Sequence, residues 1–292
     1  ESDRMLSLDF SERSLEVQRG SSNGRIQTAM FESALWGYRT YFASSGLSDA
    51  SLSMAYYRKR VVAYCQCYAG RSGAFVFRFY APNNAILAVT GNISFEEAVA
   101  LTEKWFGSIP RREVPQRNLP QEQEQTEERR LTVERNVPLD SLFMAYHMPA
   151  HCHPDYYAFD ILSDVLSNGR SSRLSQRLVQ QKQLFSSIDA YISGSVDAGL
   201  FHISGKPSAG VTLEQAEAAV REELDLLQQE LVDEQELEKV KNKFESTQIF
   251  GNINYLNVAT NLAWYELLGR AEDMEKEVDR YRSVYSRTIC GR

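Results

Sequence analysis

The chain has 292 residues, 43% hydrophobic and 24% charged, which is typical of one or two soluble globular domains. Its formal net charge of −7 disfavours nucleic acids and anionic membranes as partners, because both would repel an acidic surface. No apolar run approaches the roughly eighteen residues of a transmembrane helix, so no membrane partner is expected.

The N-terminal residues Glu1–Phe10 lack the basic start and apolar core of a signal peptide. We therefore expect a cytoplasmic location. A signal peptide further upstream stays an open alternative, because the sequence does not begin with Met and looks truncated. The four cysteines are too few and too scattered for a disulfide framework, which fits a reducing compartment.

The first segment with a consistent pattern covers residues 75–110. Turn-forming residues bound the apolar run Ala85–Thr90, which predicts a buried strand. Ser94 and Glu97 then have the spacing of a capping box, in which each side chain bonds the other residue's backbone N–H. They predict a helix that ends at Gly107.

A polar stretch follows and divides the chain. Residues 111–130 contain two prolines and the run Gln121–Glu128, and they have too little apolar surface to form a core. We favour a solvated linker over an acidic docking site. The predicted domains are therefore 1–110, the remnant of a first domain, and 131–292, a second domain.

The second domain begins with two predicted strands, Leu131–Val137 and Leu142–Met148, and a helix over Pro154–Leu166. Two further segments, Leu184–Tyr191 and Gly199–Ser204, alternate as the arms of a hairpin do. A short helix is expected between the first helix and the hairpin.

Two more helices are predicted from their caps. Thr212 and Gln215 have the spacing of a capping box, and so do Asp233 and Glu236. The helix after Thr212 has an apolar inner face, formed by Ala216, Ala219, Val220, Leu224 and Leu227. The predicted fold class is α+β, with antiparallel strands and with helices grouped on one side of the sheet.

Several short motifs occur in order along the chain: Tyr80–Ala85, Val89–Asn92, Lys104–Pro110, His153–Tyr156, Leu166–Leu174 and Asp197–Phe201. Any one of these motifs would be weak evidence, but the ordered set is specific. Together they resemble the bacterial, processing-peptidase-like members of the pitrilysin and insulinase family of zinc metallopeptidases.

The resemblance implies two similar α+β domains, each an antiparallel sheet with helices on one side, that enclose a chamber for a peptide substrate. It also implies zinc in the complete protein, held by an HxxEH helix and a later Glu. This chain has no HxxEH, and the resemblance places that helix upstream of Glu1. We therefore expect no zinc in this chain. A homodimer, or a heterodimer with a catalytic family subunit, is the implied assembly.

Residues Gly20–Ala74 do not fit the family pattern. They are rich in Ser and Tyr, basic in an acidic chain, and lack the third zinc ligand that the resemblance implies. Back-translated and read one nucleotide later, permitted codons give a family-like sequence with a Glu-Glu pair over Gly24 and Arg25. Tyr285–Arg292 behaves in the same way. We hypothesise that both segments are out-of-frame translation and that Gly20–Ala74 packs poorly.

The sequence therefore predicts a protein related to zinc-dependent peptide hydrolysis that is inactive as this isolated chain, with a second domain truncated at its C-terminus. Two alternatives stay open. One is a non-catalytic partner subunit of an HxxEH-bearing peptidase, and the other is a peptide-binding module. Catalytic, cofactor-binding and metal-ligating residues are not expected here.

One loop is a candidate substrate or structural loop, and it consists of Gly169, Arg170, Ser171, Ser172 and Arg173. Its N–H and guanidinium donors could bind an anion. We favour a structural role, in which Gly169 ends one helix and Ser171 or Ser172 caps the next.

Other clusters point less clearly to function. His147, His151, Cys152 and His153 are the only metal-like group, but they lack paired helical spacing. A Cys-x-Cys pair at Cys65 and Cys67 is a weak motif. A strand near Gly199–Ser204 could accept a peptide if it lay at a sheet edge.

Overall fold

The computed structural model describes residues 1–7, 69–114, 125–134, 137–194 and 196–290, together with residues 11, 13, 14, 17 and 116. The chain forms two compact units, Glu1–Glu134 and Arg135–Arg292. Most of the segment assigned to out-of-frame translation, including Cys65 and Cys67, lies outside the described residues. The same holds for part of the Gln121–Glu128 run.

The regular elements described in the first unit are all helices or helical turns. Its elements are α1 (Ser2–Ser7), α2 (Ala69–Phe79), a 3₁₀ turn (Pro82–Asn84) and α3 (Phe95–Phe106). The predicted capping box is confirmed, because Ser94 Oγ accepts from Glu97 N at 3.2 Å and the Glu97 carboxylate accepts from Ser94 N. Gly107 is the C-cap, as predicted.

Two strand predictions are wrong in the described structure. Residues Ala85–Thr90 belong to no sheet, and the side chains of Ile86, Leu87 and Val89 are 42–54% exposed. A strand needs a neighbouring strand for its backbone hydrogen bonds, and the described residues of the first unit supply none. The described part of Leu131–Val137 is likewise without regular structure.

The second unit contains a three-stranded sheet and six α-helices among its described residues. Its elements are β1 (Leu142–Met148), α4 (Tyr156–Ser167), a π-helical turn (Ser175–Gln181), β2 (Phe185–Ile192), β3 (Gly199–Pro207), α5 (Leu213–Gln229), α6 (Glu234–Gly251), α7 (Tyr255–Leu268), a 3₁₀ turn (Ala271–Lys276), α8 (Glu277–Arg282) and α9 (Ser286–Cys290). None of the helices described anywhere in the chain has the length and apolar character that would cross a bilayer.

The sheet is antiparallel, with the order β1-β3-β2. Ile203 of the central strand is paired with Met144 on one side and with Ala190 on the other. The predicted hairpin is therefore confirmed. The suggestion that Gly199–Ser204 could accept a peptide at a sheet edge is wrong, because β1 and β2 occupy both edges of β3.

Helices cover one face of this sheet and form the core with it, which confirms the α+β prediction. Helix α4 buries Tyr157, Ile161 and Val165, as its spacing predicted. Helix α5 starts with the predicted capping box between Thr212 and Gln215. Its predicted inner face is buried except for Leu224, which is partly buried against the core.

Asp233 is the N-cap of helix α6, as predicted, but the hydrogen bonds of this cap differ from the predicted capping box. Asp233 Oδ2 accepts from Gln235 N at 2.9 Å and from Glu236 N at 3.3 Å. The Glu236 carboxylate does not bond back to Asp233. It pairs with Arg173 instead, which joins the start of α6 to the loop after α4.

Candidate functional site

The second unit contains a cavity of about 200 Å³ between the loop after β1 and helices α6, α7 and α8. The cavity forms here because the 3₁₀ turn after α7 packs on α7 and leads into α8, which packs against α6. The polar side chains that line the cavity are His151, Gln248, Asn252, Asn261, Trp264, Tyr265 and Glu277.

His151 lies at the cavity wall, in the loop between β1 and α4, and is 9% exposed. Its ring packs against aromatic rings, with the centroid 4.4 Å from that of Tyr156 and 6.3 Å from that of Trp264. Burial, and then the charge of Arg280, lowers the pKa of His151. The 3.9 Å between His151 Nε2 and Glu277 Oε1 is therefore a contact with a neutral imidazole rather than an ion pair.

Glu277 is the first residue of α8 and is 5% exposed. Arg280 Nη1 donates to the Tyr157 hydroxyl at 3.1 Å, and that hydroxyl donates to Glu277 Oε2 at 3.5 Å. Burial raises the pKa of Glu277, while the Tyr265 hydroxyl, the Arg280 charge and the Tyr157 hydroxyl oppose the rise. The carboxyl group is thus buried and held in place by tyrosines.

This arrangement can bind a polar ligand through hydrogen bonds. The lining offers an imidazole, three carboxamides, an indole N–H and a carboxyl group, which together supply donors and acceptors. It contains no serine, cysteine or threonine nucleophile beside a base, which covalent hydrolysis requires.

A second histidine, His202, forms a Ser–His pair on the other face of the sheet. The Ser193 hydroxyl lies 2.7 Å from His202 Nε2, but it also contacts the backbone N and O of Leu200. His202 is 3% exposed and stacks on Tyr191, and burial lowers its pKa to about 4. A substrate could not reach this imidazole, so the pair is structural.

The loop of residues 169–173 makes contacts within the chain. Gly169 has φ +94°, and its carbonyl oxygen accepts from the Ser172 backbone N–H at 3.1 Å and from the Ser172 hydroxyl at 2.7 Å. Lys239 Nζ donates to Ser171 Oγ at 2.9 Å, and the Arg170 carbonyl oxygen accepts from a glutamine side chain at 3.0 Å.

Arg173, the last residue of that loop, pairs with Glu236 through Nη2 at 2.8 Å and Nε at 3.1 Å. These bonds tie the loop to α6. A role of the loop in substrate binding stays a prediction.

The metal-like histidines and cysteine have separate surroundings. His147 is exposed on β1, whereas His151 faces the cavity. Cys152 Sγ lies 3.7 Å from the Leu268 carbonyl oxygen, and His153 Nδ1 accepts from Asp155 N at 3.2 Å. In the described ranges, no three His, Cys, Asp or Glu side chains come close enough to hold a metal ion. The described residues therefore do not fit the three-ligand zinc site of the family resemblance.

Glu277, Asn261 and Trp264 were not predicted from the sequence as site residues. Their positions follow from how α6, α7 and α8 pack, which periodicity does not predict. The sequence signal that could have pointed to this site was its two pairs of adjacent aromatic residues. The pairs Tyr156-Tyr157 and Trp264-Tyr265 indicate an aromatic cluster.

Comparison with known proteins defines the class. Residues 73–244 match the family described as the peptidase M16 inactive domain. This match covers more than half of the chain, so the chain belongs to that family. The family resemblance inferred from the motifs is thereby confirmed.

Individual proteins that resemble this chain agree with the family assignment. The chain is 28% identical over 168 residues to zinc protease PqqE of Helicobacter pylori, covering 56% of this chain and 37% of that protein. It is 27% identical over 214 residues to uncharacterized zinc protease YmxG of Bacillus subtilis, covering 73% and 51%. The chain thus spans about half or less of the curated relatives it matches.

A solved structure supports the fold. The crystal structure of a protease from Helicobacter pylori aligns with a TM-score of 0.67 and 24% identity. The alignment covers 75% of this chain and 54% of that one.

Proposed function

We propose that this chain is the non-catalytic part of a zinc peptidase. It contributes to peptide hydrolysis only together with a zinc-bearing, HxxEH-containing domain or subunit. The match of residues 73–244 to an inactive peptidase domain carries this proposal. Two relatives named zinc proteases support it, and roughly half or more of each relative lies outside the matched part.

In this proposal residues 1–110 and 131–292 belong to two peptidase-family domains joined by a linker at 111–130. The zinc-bearing domain lies either in a longer gene product or in a partner chain, and the assembly is a homodimer or a heterodimer. A peptide is the substrate of the complete protein. A cytoplasmic location is part of the proposal, and cell fractionation tests it.

Affinity purification from the source organism tests the proposal. The gene is tagged at its own locus, and co-eluting proteins are identified by mass spectrometry. We expect an HxxEH-bearing family protein or segment in the eluate, with peptidase activity that a chelator removes and zinc restores. Elution without such a protein, or without chelator-sensitive activity, would contradict the proposal. The alternative, a peptide-binding module, predicts co-eluting peptides without hydrolysis.

The hypothesis of out-of-frame translation is tested on DNA. The template encoding Leu15–Tyr80 and Asp279–Arg292 is resequenced into its flanks. A restored frame would support the hypothesis, with an upstream HxxEH identifying the natural protein as a complete zinc peptidase. Confirmation of the present frame would mean that the shifts belong to the gene itself.

A further inference from the structure

Five of the polar side chains that line the cavity beside His151 have no hydrogen-bond partner among the described residues. Neither ring nitrogen of His151 makes such a bond, although the residue is 9% exposed. The same holds for the side chains of Gln248, Asn252, Asn261 and Trp264. Buried or half-buried polar groups normally pair with protein, water or a ligand. Four of them, His151, Gln248, Asn261 and Trp264, surround one cavity together with the exposed Asn252, which indicates a built binding surface.

The size of the cavity limits what it can bind. Its volume is about 200 Å³. A cavity of about 150 Å³ holds a benzene molecule, and one water takes about 30 Å³. The site therefore fits a head group of about five to eight heavy atoms.

The charges favour a cation. Glu277 is the only carboxyl group of the lining, which contains neither Lys nor Arg. Asn252 is the C-cap of α6, at the end of the helix that carries a partial negative charge. The Trp264 ring adds an electron-rich face, which attracts cations. Arg280 lies outside the lining and is engaged with Asp273 at 3.4 Å and with Tyr157.

We propose that this pocket binds a small organic cation, an alkylammonium or guanidinium head group, with Glu277 as its counter-charge. The carboxamide oxygens of Asn252 and Asn261 accept from its N–H groups. The Trp264 ring packs against its apolar stem. This proposal stands independently of the peptidase proposal, since it requires only the second unit's own residues.

Nuclear magnetic resonance of the ¹⁵N-labelled full chain tests the site. The indole N–H signal of Trp264 is assigned with a Trp264→Phe variant. The probes are n-butylammonium and methylguanidinium chloride, with n-butanol as the neutral isostere and potassium chloride as the salt control. We expect the signal to shift saturably with both cations and not with butanol or salt.

Variants test the assigned contacts. Glu277→Gln should weaken cation binding at least about tenfold, because the buried counter-charge is lost. Asn261→Leu should weaken it by about threefold or more through a lost acceptor. Asn261 is only half-buried, so this variant keeps the test valid if the Glu277 variant fails to fold. The matched control Glu275→Gln, exposed and outside the lining, should change binding less than about twofold.

Capped tripeptides distinguish the source of the cation. If acetyl-Ala-Lys-Ala-amide shifts the same signal and its Gln analogue does not, the pocket takes a basic side chain of a peptide. If only the free cations do so, the pocket takes a small free amine or guanidine. Equal responses to butanol and butylammonium, a response to neutral sugars alone, or no saturable shift would overturn the proposal.

Discussion

The pair Arg173–Glu236 joins the loop after α4 to the first turn of α6. Arg173 Nη2 and Nε lie 2.8 and 3.1 Å from Glu236 Oε2, and Nε lies 3.2 Å from Oε1. The two side chains are 12% and 18% exposed, so water can replace the carboxylate only in part. Replacement of Glu236 by Gln should therefore leave a largely buried guanidinium without its counter-charge.

The magnitude of this loss lies between two limits. Breaking a fully buried pair costs about 3–5 kcal/mol, whereas exposed pairs contribute at most about 1 kcal/mol. Because a glutamine carbonyl can still accept one hydrogen bond from Arg173, we expect Glu236→Gln to lower the free energy of unfolding by about 2–3 kcal/mol. Urea titration followed by circular dichroism measures it.

The matched control is Glu234→Gln, in the same first turn of α6 but exposed. Both variants lose one negative charge near the helix N-terminus, so their helix-dipole contributions of about 0.5 kcal/mol should nearly cancel. If the two variants unfold within about 0.5 kcal/mol of each other, the pair does not anchor the loop, and the structural role of residues 169–173 is refuted.

Further predictions concern the sheet. In Gly205→Ala the new Cβ would lie 2.6 Å from a ring atom of the buried Phe185, so we expect a loss of about 1–3 kcal/mol in thermal or urea unfolding. In the comparison variant Gly251→Ala, the new Cβ meets open space at the end of α6, so the free energy of unfolding should rise by about 0.5 kcal/mol. Similar stabilities of the two variants would refute the packing argument. The pKa of His202 falls from 6.5 to about 4 in the fold, so protonation favours unfolding and stability should drop by up to about 3 kcal/mol as pH falls from 6.5 to 4. His202→Gln should remove that part of the pH dependence. Carboxyl groups with a raised pKa, such as Glu277, act in the opposite direction, but they do so in both proteins and cancel in the comparison. Equal slopes of unfolding free energy against pH in the two proteins would contradict the role given to His202.

The elements that the sequence predicted well are those whose pattern is local. Helix α5 has a capping box and a regular inner face, and the β2–β3 hairpin has clear alternation. The cap of α6 was only half predicted, because the Glu236 carboxylate is drawn to Arg173 from another part of the chain. An interaction of that kind depends on tertiary packing, which no local motif encodes.

The strand prediction over Ala85–Thr90 failed because local composition does not supply a partner strand. Its composition is that of a strand, but strand formation depends on a partner, and the described residues provide none. The cavity was missed for a related reason. His151 and Glu277 are far apart in sequence and meet only when α8 packs beside α4 and α7.

The most direct test of the central claim is to measure zinc and peptide hydrolysis on the purified full chain alone. Zinc is quantified by mass spectrometry after dialysis against a metal-buffered solution, and cleavage is followed with a mixed fluorogenic peptide library with and without chelator. We expect far less than one zinc ion per chain and no chelator-sensitive cleavage. One bound zinc ion per chain, together with peptide cleavage that the chelator abolishes, would contradict it.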